Sequence, residues 1–286
     1  TMLHREPDTE KVNRNLKEIF SLHKDSINYM ENYTGIKFPF QKFGFVLIPD
    51  FQFGGMEHIG AIQYRAASLM LDENPSTTDL LSRASLIGHE TSHMWFGDLV
   101  TMDWFDDVWT KEVFANFFAA KMIYPNFPGI DHQLRSHLRL HPGAYAVDRS
   151  EGSNPIRQQL PNLNEAGNLY GAIIYNKAPI MMQQLEKLLG EDLFREGVRE
   201  YLSTYAFSNA TWPDLISILD KRSEKDLNAW SDVWVNTAGI PTFNIKKYPD
   251  KGLILSQTDT SKMKRIWSQT FEIRKGNQSY NVPYLK

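Results

Sequence analysis

The sequence predicts an α+β protein, because the spacing of its hydrophobic residues changes twice along the chain. Strand-like segments rich in β-branched and aromatic residues come early, at FGFVLIPDF (43–51) and IGAIQYRAASLML (59–71). Helical spacing then continues from Ser76 to about residue 236. A strand-like pattern returns after residue 241. We therefore expect a mostly helical protein with small sheets.

Local signals predict the individual elements. Residues 8–33 carry apolar side chains at helical spacing, which indicates an amphipathic first helix (Val12, Leu16, Ile19, Phe20, Ile27 and Met30). Loops rich in Pro, Gly and Asn are expected to interrupt the long helical region near 125–131, 141–143 and 152–168. Near the end, FNIKKYPDKGLILSQTD predicts a hairpin with its turn at Pro249 to Gly252, and TFEIRKGNQSYNVPYLK predicts further strands.

The change of pattern near residue 240 predicts two parts of unequal size. Residues 1–240 are expected to form one large domain, and residues 241–286 the beginning of a second, β-rich domain. Because the chain stops inside the β pattern, we expect this second domain to be truncated.

Composition excludes several classes of protein. The formal net charge of −3 over 286 residues is spread without a basic block, which argues against nucleic acid and anionic membranes as partners. No apolar run approaches the roughly 18 residues that a transmembrane helix needs. With no cysteine, a metal ion would have to be bound by His, Asp or Glu. A cytoplasmic and an exported location are both compatible with the sequence.

The stretch HETSHMWFGDLV (89–100) carries the clearest chemical signal. A capping box at Ser76 to Asp79 predicts the start of its helix. Apolar residues recur along one face of that helix (Leu80, Ala84, Ile87, Thr91, Met94 and Trp95), and His89 and His93 fall on the opposite face, one turn apart. Two imidazoles at this spacing present their nitrogens to one point, as a tetrahedral zinc ion requires.

A third ligand is predicted downstream. Glu112 follows His93 after 18 residues, in a second predicted helix, DDVWTKEVFANFFAAKM. His89, His93 and Glu112 would then bind one zinc ion per chain, leaving one position open for water. Glu90 would be the general base that takes a proton from that water. Asp107 and Asn116 are candidates for hydrogen bonds to the ligand side chains.

A structural alternative exists for each of these histidines. A bare HExxH pattern also arises by chance, and what favours a site here is the suitably spaced Glu112 together with the two imidazoles on a buried helix. His132, His137 and His141 lie in or at the end of an arginine-rich polar helix, where a solvated surface position is the better interpretation.

These motifs resemble those of the gluzincin zinc aminopeptidases, the family related to aminopeptidase N and leukotriene hydrolase. HETSH with Glu112 in TKEVFA resembles the family's HExxH-x18-E signature, and WFGDLVTMDWFDDVW resembles the stretch between its ligands. GGMEH (54–58) is similar to the family's GAMEN or GGMEN loop, and LYGAIIYNKA to its tyrosine motif. Further correspondences extend the resemblance over roughly residues 10 to 241: SNPI (153–156), FSNAT (207–211) and the ending Trp234…Gly239-Ile240-Pro241.

The resemblance implies a thermolysin-like, mostly helical catalytic domain with a small β-sheet subdomain, followed by the start of a small β-sandwich domain. It also implies that the family's N-terminal β domain and C-terminal helical domain are missing, so that the chain would be a piece of a larger enzyme. The implied substrates are peptides with a free N-terminus.

The resemblance also implies roles for residues outside the zinc site. Tyr175 would donate its phenolic hydrogen to the oxyanion of the transition state. Gly54, Gly55, Met56 and Glu57 would bind substrate, with the two glycines allowing close approach and the Glu57 carboxylate pairing with the α-ammonium group. Taken without the resemblance, the GGMEH segment would be interpreted as a surface turn after a strand.

Three departures from the family pattern stand near these residues. His58 replaces the usual Asn of the GxMEN loop, and Lys111 and Val113 flank Glu112 where Asn and Gly are usual. Ala178-Pro179 stands where the tyrosine motif has Gly. Because Pro179 suits a first helical turn, Tyr175 is expected at or just before a helix start.

The sequence thus predicts a zinc-dependent aminopeptidase that removes single residues from peptide N-termini. Two alternatives stay open at this point. One is an epoxide hydrolase of the leukotriene type, which uses the same kind of zinc site but needs a long apolar pocket. The other is an inactive zinc-binding relative that serves as a binding domain, against which the presence of Glu90 and Tyr175 argues.

Overall fold

A computed structural model of the chain describes residues 1–249, 252–259, 261, 263–275 and 278–284. The chain divides into two compact units, each assembled from separate segments. Unit 1 contains Thr1–Trp104, Thr110–Arg135 and Val198–Trp212, and unit 2 contains Phe105–Trp109, Ser136–Gly197 and Pro213–Lys286. The predicted α+β class with mostly helical structure is confirmed. The predicted domain boundary near residue 240 stays a prediction.

The first helix of unit 1, α1, confirms the helix predicted for residues 8–33, but its apolar face is buried only in part, since Leu16 and Phe20 are exposed. It covers Thr9–Thr34 and begins after Asp8, whose carboxylate accepts hydrogen bonds from the backbone N–H groups of Glu10 and Lys11. It ends at Gly35, whose φ of 72° lies in the left-handed region that glycine adopts without strain. Its buried face includes Ile19 and Met30.

A four-stranded sheet of unit 1 confirms the early strands, although they are shorter than predicted. It has the order β1-β2-β4-β3, with β1 and β4 parallel to β2 and with β3 antiparallel to β4 (β1 Met2–Leu3, β2 Phe45–Ile48, β3 Gly55–Met56, β4 Ile62–Arg65). The strand expected to continue through residue 71 instead turns into the short helix α2 at Ala66–Leu69. The pairing of β4 with β2 ends at Ile48 and Arg65, and the Ala-Ala pair that follows favours helix.

Two long helices carry the HETSH and TKEVFA motifs: α3 at Thr77–Ser92 and α4 at Val108–Asn126. The predicted capping box is confirmed, since the Ser76 hydroxyl accepts from the backbone of Asp79 and the Asp79 carboxylate accepts from that of Ser76. Helix α4 extends past the loop start predicted at residue 125 and holds Pro125 in its last turn.

Unit 1 also contains two short strands in a region that was predicted to be helical. Strands β5 (Val100–Met102) and β6 (Ser208–Ala210) pair in parallel.

 Met102 and Ser208 are 106 positions apart in the sequence, and a pairing between such distant, short segments leaves no local periodicity from which it could be predicted.

Further helices confirm most of the remaining helical region: α5 His132–Asp148, α6 Ala178–Leu189, α7 Glu191–Thr204, α8 Trp212–Asp220 and α9 Leu227–Trp234. The boundaries between the units fall inside α4, α5, α7 and α8. Residues 152–168 are mostly irregular, as predicted, with a 3₁₀ stretch at Leu163–Leu169. No helix among the described residues is both long and apolar enough to cross a membrane.

The loop predicted at 141–143 was wrong, because α5 continues through Pro142. A proline inside a helix removes one backbone N–H and disturbs the carbonyl groups of the preceding turn. The side-chain amide of Asn176 lies 3.3 and 3.4 Å from the carbonyl oxygens of Arg139 and Leu140 and donates to that turn. Gly143 leaves room for this amide, since a Cβ atom there would lie 2.8 Å from Asn176 Nδ2.

Two hairpins form the β-rich end of unit 2. Strand β7 (Pro241–Tyr248) pairs with β8 (Gly252–Asp259), and β9 (Gln269–Lys275) with β10 (Gln278–Tyr284), both antiparallel. The strands predicted here are thus confirmed. Of the predicted turn, Asp250 and Lys251 lie outside the described residues, as do parts of the last predicted strands (Gly276, Asn277, Leu285 and Lys286).

Candidate metal centre and active site

The candidate site lies in unit 1, where α3 and α4 pack closely against each other. Gly88 makes this approach possible, since a Cβ atom at that position would lie 3.2 Å from both Ala119 Cα and Met122 Sδ. His89 follows in the last turn of α3, and His93 caps the C-terminus of the helix. Glu112 projects from α4 toward both histidines.

The three predicted metal ligands are brought together by this packing. His89 Nε2 lies 3.1 Å from His93 Nε2 and 3.4 Å from Glu112 Oε2, and His93 Nε2 lies 3.9 Å from the same oxygen. All three side chains are largely buried, with exposed fractions of 16%, 1% and 7% for His89, His93 and Glu112. Three potential ligand atoms therefore surround one small volume.

Hydrogen bonds on the far side of each ring fix which nitrogen faces this volume. His93 Nδ1 donates to the backbone carbonyl of Phe96 at 3.0 Å, and His89 Nδ1 donates to Asn116 Oδ1 at 3.2 Å. The Nε2 atoms of the neutral rings therefore present lone pairs, as metal-bound histidines do. The predicted hydrogen bond between Asn116 and one of the predicted ligand side chains, His89, is confirmed. Asp107 instead accepts two hydrogen bonds from Arg157, at 2.7 and 3.0 Å, within unit 2.

The donor atoms fit a zinc ion. Three electron-rich atoms at these separations repel one another unless a cation lies among them. Zinc–nitrogen bonds of 2.0–2.1 Å in a tetrahedral site would separate the ligand atoms by about 3.3 Å, close to the distances of 3.1, 3.4 and 3.9 Å observed here. A proton on His89 can also occupy the volume. Burial lowers the pKa of His89, but the hydrogen bond with Glu112 and the nearby carboxylates outweigh this and raise it.

Glu90 lies beside strand β3, with a carboxylate oxygen within 4.8 Å of a ring nitrogen of His93. Its side chain is buried, and its Oε2 atom has no hydrogen-bond partner among the described residues. Gly55 is required for this arrangement, since a Cβ atom there would lie only 2.5 Å from Glu90 Cδ. Burial raises the pKa of the Glu90 carboxyl to about 8, and the neighbouring Glu57 and Glu112 carboxylates add to this effect while His89 opposes it.

The GGMEH segment forms the wall of the site next to Glu90. Gly54 accepts a backbone hydrogen bond from Arg65 at 2.9 Å, and Gly55 and Met56 form the edge strand β3. Glu57 follows directly, and its Oε1 atom lies 4.0 Å from His93 Nδ1. His58, the next residue, is exposed. Of the substrate-binding residues predicted from the sequence, Gly55 thus lies against Glu90 and Glu57 lies near His93.

Glu57 is held by a lysine that sequence reasoning noted only as a departure from a family pattern. Lys111 Nζ lies 2.5 Å from Glu57 Oε1 and 3.5 Å from Glu112 Oε1. Burial acts to raise the pKa of Glu57, but the charges of His93 and Lys111 outweigh it and hold the pKa below its usual value. Lys111 therefore touches both the predicted amine-binding carboxylate and a predicted metal ligand.

Glu57, Glu90 and His93 form a second group whose ligand atoms lie within 4.8 Å of one another. His93 faces Glu57 with Nδ1, which already donates to Phe96, so this nitrogen offers no lone pair. The group of His89, His93 and Glu112 is therefore the better metal site.

Tyr175 belongs to unit 2 and lies in a π-helical turn at Ile173–Lys177, which leads directly into α6. This agrees with the position expected just before a helix start, and Pro179 occupies the first turn of α6. The turn is anchored by Lys177, whose ammonium group contacts Asp148 at 2.8 Å and the Gly239 carbonyl at 3.0 Å. Turns of this kind occur often at functional sites.

Two further site residues were missed by sequence reasoning. Asp98 has a buried Oδ2 atom without a hydrogen-bond partner among the described residues, and burial raises its pKa to about 8. Tyr64 is fully buried, its hydroxyl lies 3.0 Å from His23 Nε2, and its pKa is raised by burial and by the Glu90 charge. For Asp98, its position directly after Gly97 was the only signal in the sequence. No sequence pattern indicated Tyr64.

An α+β chain with a buried His-His-Glu group beside another buried carboxylate is typical of metal-dependent hydrolases. Residues 19–234 match the model of the Peptidase family M1 domain. The chain therefore belongs to peptidase family M1, a family of hydrolases.

Curated proteins from archaea, bacteria and animals are also similar to this chain in sequence. The chain is 37% identical over 218 residues to "Probable aminopeptidase 2" of Sulfurisphaera tokodaii, a match that covers 76% of this chain and 28% of the relative. It is 32% identical to the aminopeptidase N of Lactococcus lactis, with 81% and 27% covered, and 33% identical to the puromycin-sensitive aminopeptidase of Caenorhabditis elegans, with 78% and 24% covered. The chain thus spans about a quarter of the length of these curated relatives.

Proposed function

We propose that this chain is the catalytic part of a zinc-dependent aminopeptidase. The observation that carries the proposal is the spacing of His89 Nε2, His93 Nε2 and Glu112 Oε2, 3.1 to 3.9 Å apart, next to the buried carboxylate of Glu90. These three residues hold one zinc ion. A bound zinc ion lowers the pKa of a water ligand toward about 7 and polarises a carbonyl oxygen.

Glu90 acts as the general base in this proposal. It accepts a proton from the attacking water and passes it to the nitrogen of the leaving peptide. Its position supports this role, because Oε2 is buried and has no hydrogen-bond partner among the described residues. A carboxylate whose pKa is raised by burial is a stronger base and accepts a proton more readily than an exposed one does.

Tyr175 donates a hydrogen bond to the oxyanion that develops on the substrate carbonyl. A phenol donor stabilises this oxygen most in the transition state, where its negative charge is largest. The proposal rests on the tyrosine motif and on the π-helical turn that carries the residue.

Glu57 recognises the substrate's α-ammonium group and so makes the enzyme an exopeptidase for peptides with a free N-terminus. Its carboxylate is largely buried and is held in the ionised form by neighbouring positive charge. Gly54, Gly55 and Met56 complete the substrate site, with Gly55 leaving the space that Glu90 fills.

The same proposal covers the domain structure. Residues 1–240 form a thermolysin-like catalytic domain, and the hairpins within residues 241–286 begin a β-sandwich domain. An N-terminal β domain and a C-terminal helical domain accompany them in the full-length enzyme. This chain covers only about a quarter of the length of the curated relatives, which supports a longer full-length protein.

Metal analysis and hydrolysis together test the proposal. We expect one zinc ion per chain, lost on chelation far more readily from His89→Ala and Glu112→Ala than from the exposed control His137→Ala. In the full-length protein, Glu90→Gln should retain zinc while turnover of an aminoacyl-anilide falls by about 10² to 10⁴.

The outcomes separate the alternatives. Zinc retained equally in His89→Ala and His137→Ala would contradict the ligand assignment. A zinc-loaded full-length protein inert toward aminoacyl-anilides would favour an inactive binding domain, or an epoxide hydrolase if it opens an apolar epoxide.

A further inference from the structure

The carboxylate proposed to bind substrate already has a cationic partner in the chain itself. Lys111 Nζ lies 2.5 Å from Glu57 Oε1, and both side chains are largely shielded from solvent, with exposed fractions of 16% and 12%. A peptide's terminal amine and a lysine side chain carry the same chemical group, a primary ammonium ion. Lys111 therefore makes the contact that a substrate would make.

The surroundings of Lys111 offer it a second position. Its stem packs against Gly97, where a Cβ atom would lie 3.5 Å from both Lys111 Cβ and Lys111 Cδ. The next residue, Asp98, has a buried Oδ2 atom with no hydrogen-bond partner among the described residues. Glu112 Oε1 lies 3.5 Å from Lys111 Nζ on the other side. An ammonium group that leaves Glu57 thus has an oxygen of Glu112 close by, and Asp98 directly follows the glycine against which the lysine stem packs.

We infer that Lys111 determines how strongly the site binds the substrate amine. Its ammonium group pairs with the Glu57 carboxylate until the substrate's α-ammonium group displaces it toward Asp98. The inference rests on the proposed role of Glu57. Displacement costs binding free energy and brings two like charges into one buried site. The amine therefore contributes less to the affinity of this protein than an unoccupied carboxylate would allow.

A pair of zinc-binding probes isolates this effect. L-leucine hydroxamate and 4-methylpentanohydroxamate share a metal-binding group and a side chain, and only the first has an amine. Calorimetry on the zinc-loaded chain measures both dissociation constants. The dissociation constant of the amine-free probe divided by that of L-leucine hydroxamate is the factor by which the amine strengthens binding. We expect Lys111→Met to raise this ratio roughly ten-fold, the scale of one charge-assisted contact. Lys111→Gln, which keeps a polar end without the charge, should raise it as well.

Two control variants complete the experiment. Lys121→Met removes a lysine from the same helix, about 15 Å further along its axis, and should leave the ratio unchanged. Glu57→Gln should bring the ratio close to one with or without Lys111.

An unchanged or smaller ratio in both Lys111 variants, with both probes still bound, would overturn the inference alone. Failure of the amine-free probe to bind the wild type would instead remove the zinc site and overturn both proposals.

Discussion

Two lysines, the half-buried Lys111 of unit 1 and the buried Lys177 of unit 2, make ion pairs of different kinds. Lys177 in unit 2 has an exposed fraction of 2%, and its partner Asp148 of 0%. Its ammonium group lies 3.0 and 2.8 Å from the two oxygens of Asp148 and also donates to the Gly239 carbonyl. Lys111 in unit 1 contacts both Glu57 and Glu112, in a site that also contains Glu90.

The difference lies in the balance of charge around each lysine. In unit 2 one cation meets one carboxylate, so the pair is complete without any other molecule. In unit 1 the one lysine contacts two carboxylates, those of Glu57 and Glu112, and the carboxyl group of Glu90 lies within 4.8 Å of Glu57. A site with an excess of buried carboxylate is suited to binding cations from outside, such as a metal ion and a substrate ammonium group. The pair Lys177–Asp148 in unit 2 therefore stabilises the fold, whereas the pair Lys111–Glu57 in unit 1 can exchange partners.

The largest expected effect is on stability and separates the two lysines. Lys177→Met should lower the free energy of unfolding by about 3–5 kcal/mol, because it leaves the buried Asp148 carboxylate without its cationic partner. Lys111→Met should cost less than about 1.5 kcal/mol in the zinc-loaded protein, because Glu57 is near other cations and within reach of water. Urea denaturation of the zinc-loaded chain measures both.

Equal losses for the two variants would contradict the comparison and make Lys111 a structural residue. Lys177→Met should also disturb the turn that holds Tyr175, so a variant that keeps full stability would show that Lys177 does not anchor it.

The same contrast shows what could be predicted from the sequence. His89, His93 and Glu112 could be placed together, because helical spacing fixes the first two and the intervening length permits the return of the third. The ion pair between Lys111 and Glu57 could not, since the two residues are 54 positions apart and their contact depends on how strand β3 lies against α3 and α4.

The fold followed a similar rule. Capping and periodicity are local signals, and they predicted α1 and the start of α3 correctly. The course of α5 through Pro142 depends on Asn176, a residue distant in sequence that donates to the disturbed turn. The surface position predicted for His132, His137 and His141 was also only partly correct. His137 is exposed, whereas His132 and His141 are half-buried and hydrogen-bonded to the Phe127 carbonyl and the Tyr145 hydroxyl.

A buried titratable group that has no charged partner should make stability depend on pH. His23 in unit 1 donates from Nδ1 to the Ile19 carbonyl and accepts from the Tyr64 hydroxyl at Nε2, so its neutral form is satisfied. Burial lowers its pKa from 6.5 to about 4. Below pH 6.5 the unfolded chain takes up a proton that the folded chain does not, and stability falls by up to about 3 kcal/mol as the pH approaches 4.

His23→Gln removes this titration and should flatten the loss of stability between pH 6.5 and 4. The exposed His4→Gln serves as the matched control and should follow the wild type. We would measure the free energy of unfolding by urea denaturation at several pH values. The difference between variants cancels the contribution of the other histidines. Parallel curves for His23→Gln and the wild type would show that His23 takes up its proton in the folded protein as readily as in the unfolded one.

The smallest expected effect concerns Glu57 and decides whether the protein is an exopeptidase. A substrate's α-ammonium group loses hydration in the site, and a charge-assisted contact with Glu57 returns on the order of 1.5–3 kcal/mol, or roughly ten- to a hundred-fold in affinity. The displacement of Lys111 should place the measured value near the lower end of that range. Glu57→Gln should therefore weaken binding of free-amine substrates while zinc content stays unchanged, because Glu57 is not among the proposed ligands.

Acetylation of the substrate amine removes the same contact from the other side. It should reduce kcat/KM strongly in the full-length wild type and much less in Glu57→Gln, since each change removes one partner of a single ion pair. We would measure this double cycle near pH 7.5 in the full-length enzyme. Two losses that simply add would mean that Glu57 does not contact the amine, and the excess of carboxylate in unit 1 would then serve the metal ion alone.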